Sequence, residues 1–300
     1  TDFDVTWSFL LRHWTCLIVH FPAMPTWKLT MEYKGTRYQG WQEQKQGRTI
    51  QGELRSAAAD YFRAEIDLGG SGRTDAGVHA LAQVAHLRAA RPRPPDQIQN
   101  ALNERLPADI HVVKVEQHPE RFHARHSAIS RYYLYQISSR RTALAKDYVW
   151  WVKTKLDVQI MQECSRIFLG KHDFRNFTER PGDQGSTLVV IEEFRLKAVE
   201  DLILVRLGAS HFLWKMVRRL VGVLVQAGMG SLEVKQVPGL LKEFSAETGQ
   251  WTAPAAGLFL ERVVYPGESP PDELNPAISV LTPSVSFTVP SSRVPQRNQQ

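Results

Sequence analysis

Apolar positions over residues 24–121 follow in turn the two-residue period of strands and the three-to-four-residue period of helices. In the first helical stretch, for example, Ile50, Leu54 and Phe62 share one face. The pattern predicts strands over Trp27–Tyr33, Val78–Leu87 and Ile110–Val115, and helices over Thr49–Phe62 and Pro95–Leu106.

Residues 122–266 repeat this order of elements loosely, without evident sequence similarity between the two halves. Ser210 is a candidate N-cap for the last long helix, which Gly228 and Gly230 end. Two α+β halves, each ferredoxin-like or RRM-like in element order, are the simplest architecture, with an N-terminal domain over 24–121 and a C-terminal domain over 122–266. The predicted strands of the second half are Arg131–Ile137, Thr187–Leu196, Leu202–Leu207 and Gly257–Tyr265, and its helices are Val158–Leu169 and His211–Gln226.

The two ends of the chain lack such periodicity. Trp7–Pro22 is apolar, but Arg12 and His13 interrupt it and it is too short to span a bilayer. It also lacks the positive charge that precedes a signal peptide. We therefore expect residues 1–23 to be an extension outside the fold, and the Pro- and Ser-rich residues 267–300 to be a disordered tail.

Charge and cysteine content narrow the function classes. The net charge of +6 and the pI of about 9.3 fit a polyanionic partner such as nucleic acid. Cys16 and Cys164, the two cysteines, are far apart in the sequence, which excludes a disulfide framework and a thiolate zinc site. A reducing cytoplasm is therefore the expected compartment.

Asp75 lies among small residues in a glycine-rich stretch, Gly70–Ala80, with Arg73 two positions before it. A neighbouring guanidinium favours the ionised carboxylate, and glycines allow a ligand to approach the backbone closely. Two interpretations follow from these residues: a carboxylate nucleophile, or the commoner Asx-turn between two strands. The stretch lacks the Lys-Ser/Thr of a phosphate-binding loop and the third glycine of a dinucleotide-binding loop, so neither cradle is present.

Two further stretches combine basic and aromatic residues. In the helix predicted from His211, the basic side chains lie off the apolar face, and Arg218 borders that face closely enough to turn inward. In Arg121–Tyr135, arginines are suited to phosphates and tyrosines to unpaired bases, although Tyr132 and Tyr135 are better explained by packing between strands. His123 and His126 lack a third ligand nearby and are expected at the surface or facing RNA, not in a metal site.

With these pieces placed, the chain resembles the TruA family of tRNA pseudouridine synthases over residues 24 to about 265. The stretch Gly72-Arg-Thr-Asp-Ala-Gly-Val-His-Ala80 matches the family's catalytic motif, and the other matching stretches occur in the family's order. These are Tyr38-Gln-Gly-Trp41, Thr49-Ile-Gln-Gly-Glu-Leu54, Phe122-His-Ala-Arg125, Phe212-Leu-Trp-Lys-Met-Val-Arg218 and Ala253-Pro-Ala-Ala-Gly-Leu258.

The resemblance implies a fold and a set of roles. It implies that the two halves form a pseudouridine-synthase mixed sheet with flanking helices. Asp75 corresponds to the catalytic aspartate, Tyr133 to the tyrosine that stacks on the target uracil, and Arg218 to the arginine that pairs with the aspartate. Substrate binding is expected from Arg73, Thr74, His79, Arg125, Arg131 and Leu258.

The resemblance also implies the substrate and the assembly. The expected substrate is uridine at positions 38 to 40 of tRNA, in the anticodon stem-loop, bound by a cytoplasmic homodimer. Since uridine and pseudouridine are isomers, no cofactor is expected, and neither is a metal or a membrane. Three routes remain open for the carboxylate: attack at the ribose C1′, addition at the uracil C6, or removal of a C2′ proton.

Two other functions compete with this one. An RRM-like RNA-binding protein without catalytic activity would bind tRNA and leave uridine unchanged. A glycosidase using Asp75 as nucleophile would release free uracil, but that class needs a second carboxylate, and none lies near the motif in sequence.

Overall fold

The alternating and helical segments form the elements that the pattern predicts in most places. The computed structural model describes residues 24–183, 185–243 and 245–280; the expected extension over 1–23 lies outside them. The strands are β1 (Thr26–Tyr33), β2 (Ile66–Gly70), β3 (His79–Ala89), β4 (Ile110–His118), β5 (Ser130–Ser138), β6 (Trp150–Trp151), β7 (Gly170–Asp173), β8 (Leu188–Val199), β9 (Leu202–Ala209) and β10 (Leu258–Val264). The helices are α1 (Ile50–Phe62), α2 (Pro95–Arg105), α3 (Val158–Ile167), α4 (Met216–Gly228), α5 (Gly239–Lys242) and α6 (Glu247–Gln250).

The strands form one mixed sheet in the order β4-β1-β3-β10-β5-β9-β8-β7, with β2 paired to β3 and β6 to β5. The last strand, β10, lies between the halves: it runs parallel to β3, where Phe259 pairs with His79, and antiparallel to β5. This architecture confirms the predicted α+β class with a mixed sheet and flanking helices. The proposed boundary between 121 and 122 lies in the connection between β4 and β5; one buried core runs across it, and the boundary stays a prediction.

Two faces of the central strands have different surroundings. Tyr133 on β5 pairs with Leu207 on β9, and both join the main core together with α4. The next pair, Leu134 and Arg206, points to the opposite face. We call the face of Tyr133 the cleft face and the face of Arg206 the back face.

The predicted start of the last long helix is wrong. α4 begins at Met216, not at His211, and the Ser210 hydroxyl contacts His211 Nδ1 (3.1 Å) instead of capping the helix. The reason is tertiary: Arg131 donates to the Ser210 carbonyl, and Lys215 takes a left-handed conformation (φ 63°) that interrupts a helical path. As expected from the pattern, the buried face of α4 includes Leu220 and Leu224.

The predicted disordered tail is wrong for residues 267–280; residues 281–300 lie outside the described part. Leu274 and Val280 are buried on the back face, and Gln136 binds the backbone of Ala277 and Ile278. Composition is a poor guide here because buried polar side chains of the sheet satisfy the backbone of this proline-rich segment.

Three short strands, β2, β6 and β7, were not predicted, since two to five residues are too few to show a period. The two four-residue helices, α5 and α6, were not predicted either. The bounds of the remaining elements differ from the predicted ones by a few residues at most, apart from the start of α4. Among the described residues, no helix is long and apolar enough to cross a membrane.

Candidate active site

The loop between β2 and β3 carries Asp75, and a turn earlier in the chain holds this loop through backbone hydrogen bonds. In this support turn, residues 35–41, Trp41 N donates to Thr74 O (3.0 Å) and Tyr38 O accepts from Gly77 N (3.3 Å). Gly40 has φ +92°, and a Cβ there would lie 2.5 Å from Thr74 O. The two backbones therefore meet only because this position lacks a side chain.

Asp75 forms an ion pair with Arg218 from the first turns of α4: Arg218 Nη1 donates to Asp75 Oδ2 over 3.2 Å. The Arg218 Nε donates to Ala253 O (2.7 Å), which fixes the guanidinium between the loop and the segment before β10. The Asp75 side chain keeps 19% of its surface exposed, so the carboxylate remains accessible to a ligand. Arg73 is exposed and forms no ion pair with the described residues, so the arginine beside Asp75 in sequence is not its partner in space.

Tyr133 extends from β5 towards the same place. Its ring is buried and meets Phe212 edge-on, with 5.1 Å between ring centroids. Burial, and the nearby Tyr33 and Asp75, raise the pKa of Tyr133, so the phenol is protonated at neutral pH. The ring thus offers an apolar edge and a hydroxyl donor to whatever binds beside Asp75.

These three residues line one cleft of about 1020 Å³. Asp75 is the one carboxylate among the described residues that line it, whereas the cationic lining residues come from both halves of the chain. The cleft therefore favours an anionic ligand over a cationic one. The basic residues of the lining are Arg73, Arg125, Arg131, Arg180, His211, Lys215 and Arg218.

Five of the six residues predicted to bind substrate line this cleft. Arg73 and Arg125 are exposed and can reach a ligand, whereas the Thr74 hydroxyl is buried against Tyr33 Oη (2.8 Å). Leu258, at the start of β10, contributes apolar surface. Arg131 differs in that its guanidinium donates to backbone carbonyls, so it holds the wall of the cleft together.

His79 is not brought into the cleft, which corrects its expected place among the substrate-binding residues. It begins β3 with its side chain on the back face, stacked against Phe259 (4.9 Å, 27°). Its Nδ1 accepts from Gly35 N (3.1 Å), so Nε2 carries the proton and donates to Asp147 O (2.8 Å). Both ring nitrogens are occupied, and burial lowers the pKa of His79.

The packing role expected for two tyrosines is confirmed. Tyr135 is fully buried and donates to Pro254 O (2.8 Å), and Tyr132 packs against Gly208 on the neighbouring strand. The ring of His123 lies 4.4 Å from the rings of His86 and His126, tilted by 48° and 47° to them. Its expected contact with RNA stays a prediction.

The lining residues to which the sequence assigned no role include Arg180, Trp214 and Lys215. Trp214 and Lys215 lie in the matched stretch before Arg218, and the misplaced start of α4 put them on a helix. Arg180 lies in a polar connection that gave no signal. For Trp214 and Lys215, their place in that matched stretch is the one signal that the sequence offers.

Comparison with known proteins agrees with this geometry. The family model described as tRNA pseudouridine synthase matches residues 29–127 and 165–266, more than half of the chain. A tRNA pseudouridine synthase A of Beijerinckia indica is 41% identical over 248 residues, covering 82% of this chain and 95% of that protein. A protein of the same name from Xanthobacter autotrophicus is 40% identical and covered completely, with 81% of this chain aligned. A tRNA pseudouridine synthase A 2 of Clostridium perfringens is 38% identical, with 79% and 98% of the two chains aligned.

The family model matches more than half of the chain, and the relatives are about 40% identical and aligned almost end to end. This chain belongs to the tRNA pseudouridine synthase family, and it is an isomerase that acts on uridine in tRNA.

Proposed function

We propose that Asp75 is the nucleophile of this isomerase and that its target is uridine at positions 38 to 40 of tRNA, in the anticodon stem-loop. One observation carries the assignment of Asp75. It is the one carboxylate among the described lining residues of a cleft otherwise rich in arginine, and it is both ion-paired and accessible.

The reaction needs no external reagent. The bond from C1′ to uracil N1 breaks, a bond from C1′ to C5 forms, the C5 proton leaves to solvent and N1 gains a proton. Each of the three routes open to a carboxylate requires an anion held against the nucleoside, which is what the Asp75–Arg218 pair supplies. Arg218 orients the carboxylate, and Tyr133 holds the detached ring while it turns.

The target base must leave its stack before Asp75 can reach it, at a cost of a few kcal/mol. Stacking on Tyr133 and phosphate contacts from exposed residues such as Arg73 and Arg125 offset this cost. Because phosphate contacts release counterions, tRNA affinity is expected to fall steeply as salt rises.

The lining also separates this reaction from glycoside hydrolysis. Hydrolysing glycosidases pair a nucleophile with a second carboxyl group that protonates the leaving group. Among the described residues, no second carboxylate lines the cleft. Uracil leaves as a stabilised anion, so the isomerisation proceeds without that acid.

The assembly and location follow from the resemblance. We propose a homodimer that binds one tRNA across both subunits and acts in the cytoplasm. Sedimentation of the full chain with and without tRNA tests the dimer.

The decisive experiment uses unmodified tRNA labelled with tritium at uracil C5, since joining C1′ to C5 releases that hydrogen. We expect release by the parent chain and a loss of at least about 10³-fold in Asp75→Asn. Asp60→Asn is the matched control, because Asp60 also pairs with an arginine (Arg105, 2.7 Å) but lies on the surface. Transcripts with a single uridine at 38, 39 or 40 locate the target.

The competing functions give different results in the same assay. Binding of tRNA without tritium release by the parent would indicate an RNA-binding protein without catalytic activity. Free uracil in the products would indicate a glycosidase. Equal activity of Asp75→Asn and the parent would remove Asp75 from the mechanism.

A further inference from the structure

Besides the buried ring of Tyr133, the cleft is lined by a ring that is exposed, that of Trp214. Trp214 is 37% exposed, whereas Leu213 before it and Met216 after it are buried. Phe212, two residues earlier, touches the Tyr133 ring edge-on. One segment therefore contributes both a ring that contacts Tyr133 and, two residues later, a ring that is exposed.

The position of Trp214 is fixed by contacts between two segments. Glu179 N donates to Trp214 O (3.3 Å), and the Glu179 carboxylate accepts from Lys215 Nζ (3.1 Å) and Arg219 Nη2 (2.9 Å). α4 starts immediately afterwards and carries Arg218 to Asp75. The ring is thus held in place relative to the reacting carboxylate.

Two cations lie over the Trp214 ring: Arg180 Cζ at 5.0 Å and Lys215 Nζ at 5.3 Å from its centroid. An exposed aromatic ring beside basic groups is the arrangement by which proteins bind the nucleotides of a single strand without reading its sequence. A base stacked on an aromatic ring is held more strongly than an exposed cation–π contact. A nucleotide can therefore displace a cation from the ring and bind it through its phosphate.

The cleft has room for such a nucleotide. Its volume of about 1020 Å³ lies at the upper end of the range of about 300–1,000 Å³ found for pockets that hold one drug-sized molecule. A single uridine held beside Asp75 would therefore not fill the cleft.

We propose that Trp214, Arg180 and Lys215 form a second nucleotide subsite, which binds a nucleotide next to the target uridine in the tRNA chain. Its base stacks on Trp214 and its phosphate binds the two cations. This proposal rests on the proposed function, because it takes tRNA as the ligand of the cleft.

The test compares two tryptophans of similar exposure. Trp151 is 40% exposed and has Arg141 over its ring (5.8 Å), but it does not line the cleft. Affinity for an unmodified anticodon stem-loop RNA is measured by fluorescence anisotropy, at one salt concentration, in an Asp75→Asn background that leaves the RNA unconverted. We expect Trp214→Ala to weaken binding about tenfold, Trp214→Phe to stay within about threefold of the parent, and Trp151→Ala to stay within about twofold.

Kinetics and salt dependence give a second readout. With Asp75 intact, Trp214→Ala should raise KM about tenfold and leave kcat unchanged, since stacking of a neighbouring nucleotide stabilises ground state and transition state alike. Arg180→Ala should lower the slope of log affinity against log salt by about one, whereas Trp214→Ala should leave that slope unchanged.

The outcomes separate this proposal from the previous one. Equal affinity of Trp214→Ala and Trp151→Ala would overturn the subsite while leaving the reaction intact. A shift of Trp214→Ala to a smaller species on sedimentation, with affinity restored at high protein concentration, would instead assign the ring to a contact between copies and also overturn it. A parent chain that makes no pseudouridine would contradict the proposed function, and the binding measurements would still decide whether Trp214 contacts RNA.

Discussion

Two arginine–carboxylate pairs lie on opposite faces of the same sheet and differ in how many contacts they complete. On the back face, Arg206 is fully buried and binds Glu261 through two hydrogen bonds (2.8 and 2.5 Å). Its remaining donors reach the carbonyls of Pro271, Asp272 and Glu273. On the cleft face, Arg218 and Asp75 share a single hydrogen bond of 3.2 Å and keep 16% and 19% of their side chains exposed.

The difference shows what distinguishes a structural pair from a reactive one. The Arg206 pair has its donors occupied, and it fastens residues 271–273 to the sheet. The Asp75 carboxylate makes no other side-chain hydrogen bond with the described residues, so it can engage a ligand. Substitution of Arg206 should therefore affect mainly stability, whereas substitution of Arg218 should affect mainly activity.

The largest expected effect is on stability, from Arg206→Met. This substitution leaves the Glu261 carboxylate, which is only 12% exposed, without its arginine, and this should lower the free energy of unfolding by about 3–5 kcal/mol. Denaturant unfolding measures the loss, and tritium release per folded molecule should be unchanged. The double variant Arg206→Met/Glu261→Leu should recover about half of the loss, because it removes the stranded charge but not the unpaired carbonyls. A double variant no more stable than the single one would contradict this account.

The next effect is on activity, from Arg218→Lys. A single ammonium cannot bind Ala253 O and Asp75 in the present geometry, so the carboxylate loses its orientation. We expect kcat to fall about 10²-fold, as small misplacements of reacting groups do, with stability within about 1 kcal/mol of the parent because the pair is partly solvated. A large loss of stability with normal kcat would make Arg218 a counterpart of Arg206.

The pairing of Asp75 with Arg218 shows how far the sequence could be read. Local features place Arg73 beside Asp75 and single out Arg218 as an arginine that can turn inward. Only the resemblance pairs Arg218 with Asp75, because the contact depends on how α4 packs against the loop. Strand periods predicted β1, β3 and β5, but the insertion of β10 between the halves leaves no periodic signal. The prediction for the proline-rich segment after β10 is wrong for a related reason. The order of this segment comes from the Arg206 guanidinium, which donates to its carbonyls, and from the Gln136 amide, which accepts from Ala277 N and donates to Ile278 O; both residues lie far away in sequence.

At a third site, burial keeps His86 neutral although Asp67 Oδ2 lies 3.6 Å from its Nε2. His86 accepts a hydrogen bond from Ala124 N at Nδ1 (3.2 Å), and burial, with His123 nearby, lowers the pKa of His86 to about 4. Its ordinary pKa is 6.5, so between pH 6.5 and 4 the unfolded chain binds a proton that the folded chain does not. Stability should therefore fall as the pH falls through this window.

Substitution isolates the contribution of His86. Between pH 7 and pH 5 the parent should lose about 2 kcal/mol more stability than His86→Asn, which keeps an acceptor near Ala124 N but cannot titrate. Unfolding curves at several pH values measure the difference. Parallel curves for the two proteins would show that His86 is not the group responsible.

The smallest expected effect tests whether His79, on the back face, helps to position Asp75 in the cleft. His79 lies on the back face, yet its Nδ1 holds Gly35 at the start of the support turn, and that turn binds the backbone of Thr74 and Gly77 on either side of Asp75. Its Nε2 donates to Asp147 O, in a loop away from the cleft. His79→Asn preserves an acceptor near the Nδ1 position and His79→Gln preserves a donor near the Nε2 position.

If the support turn positions Asp75, the two variants should differ in kcat. Each loses one buried hydrogen bond, so both should be destabilised to a similar extent, by about 1–3 kcal/mol. We expect kcat within about threefold of the parent for His79→Asn and about tenfold lower for His79→Gln, because only the latter frees Gly35 and thereby the loop of Asp75. Equal kcat in the two variants would show that His79 stabilises the back face by packing and does not influence the position of Asp75.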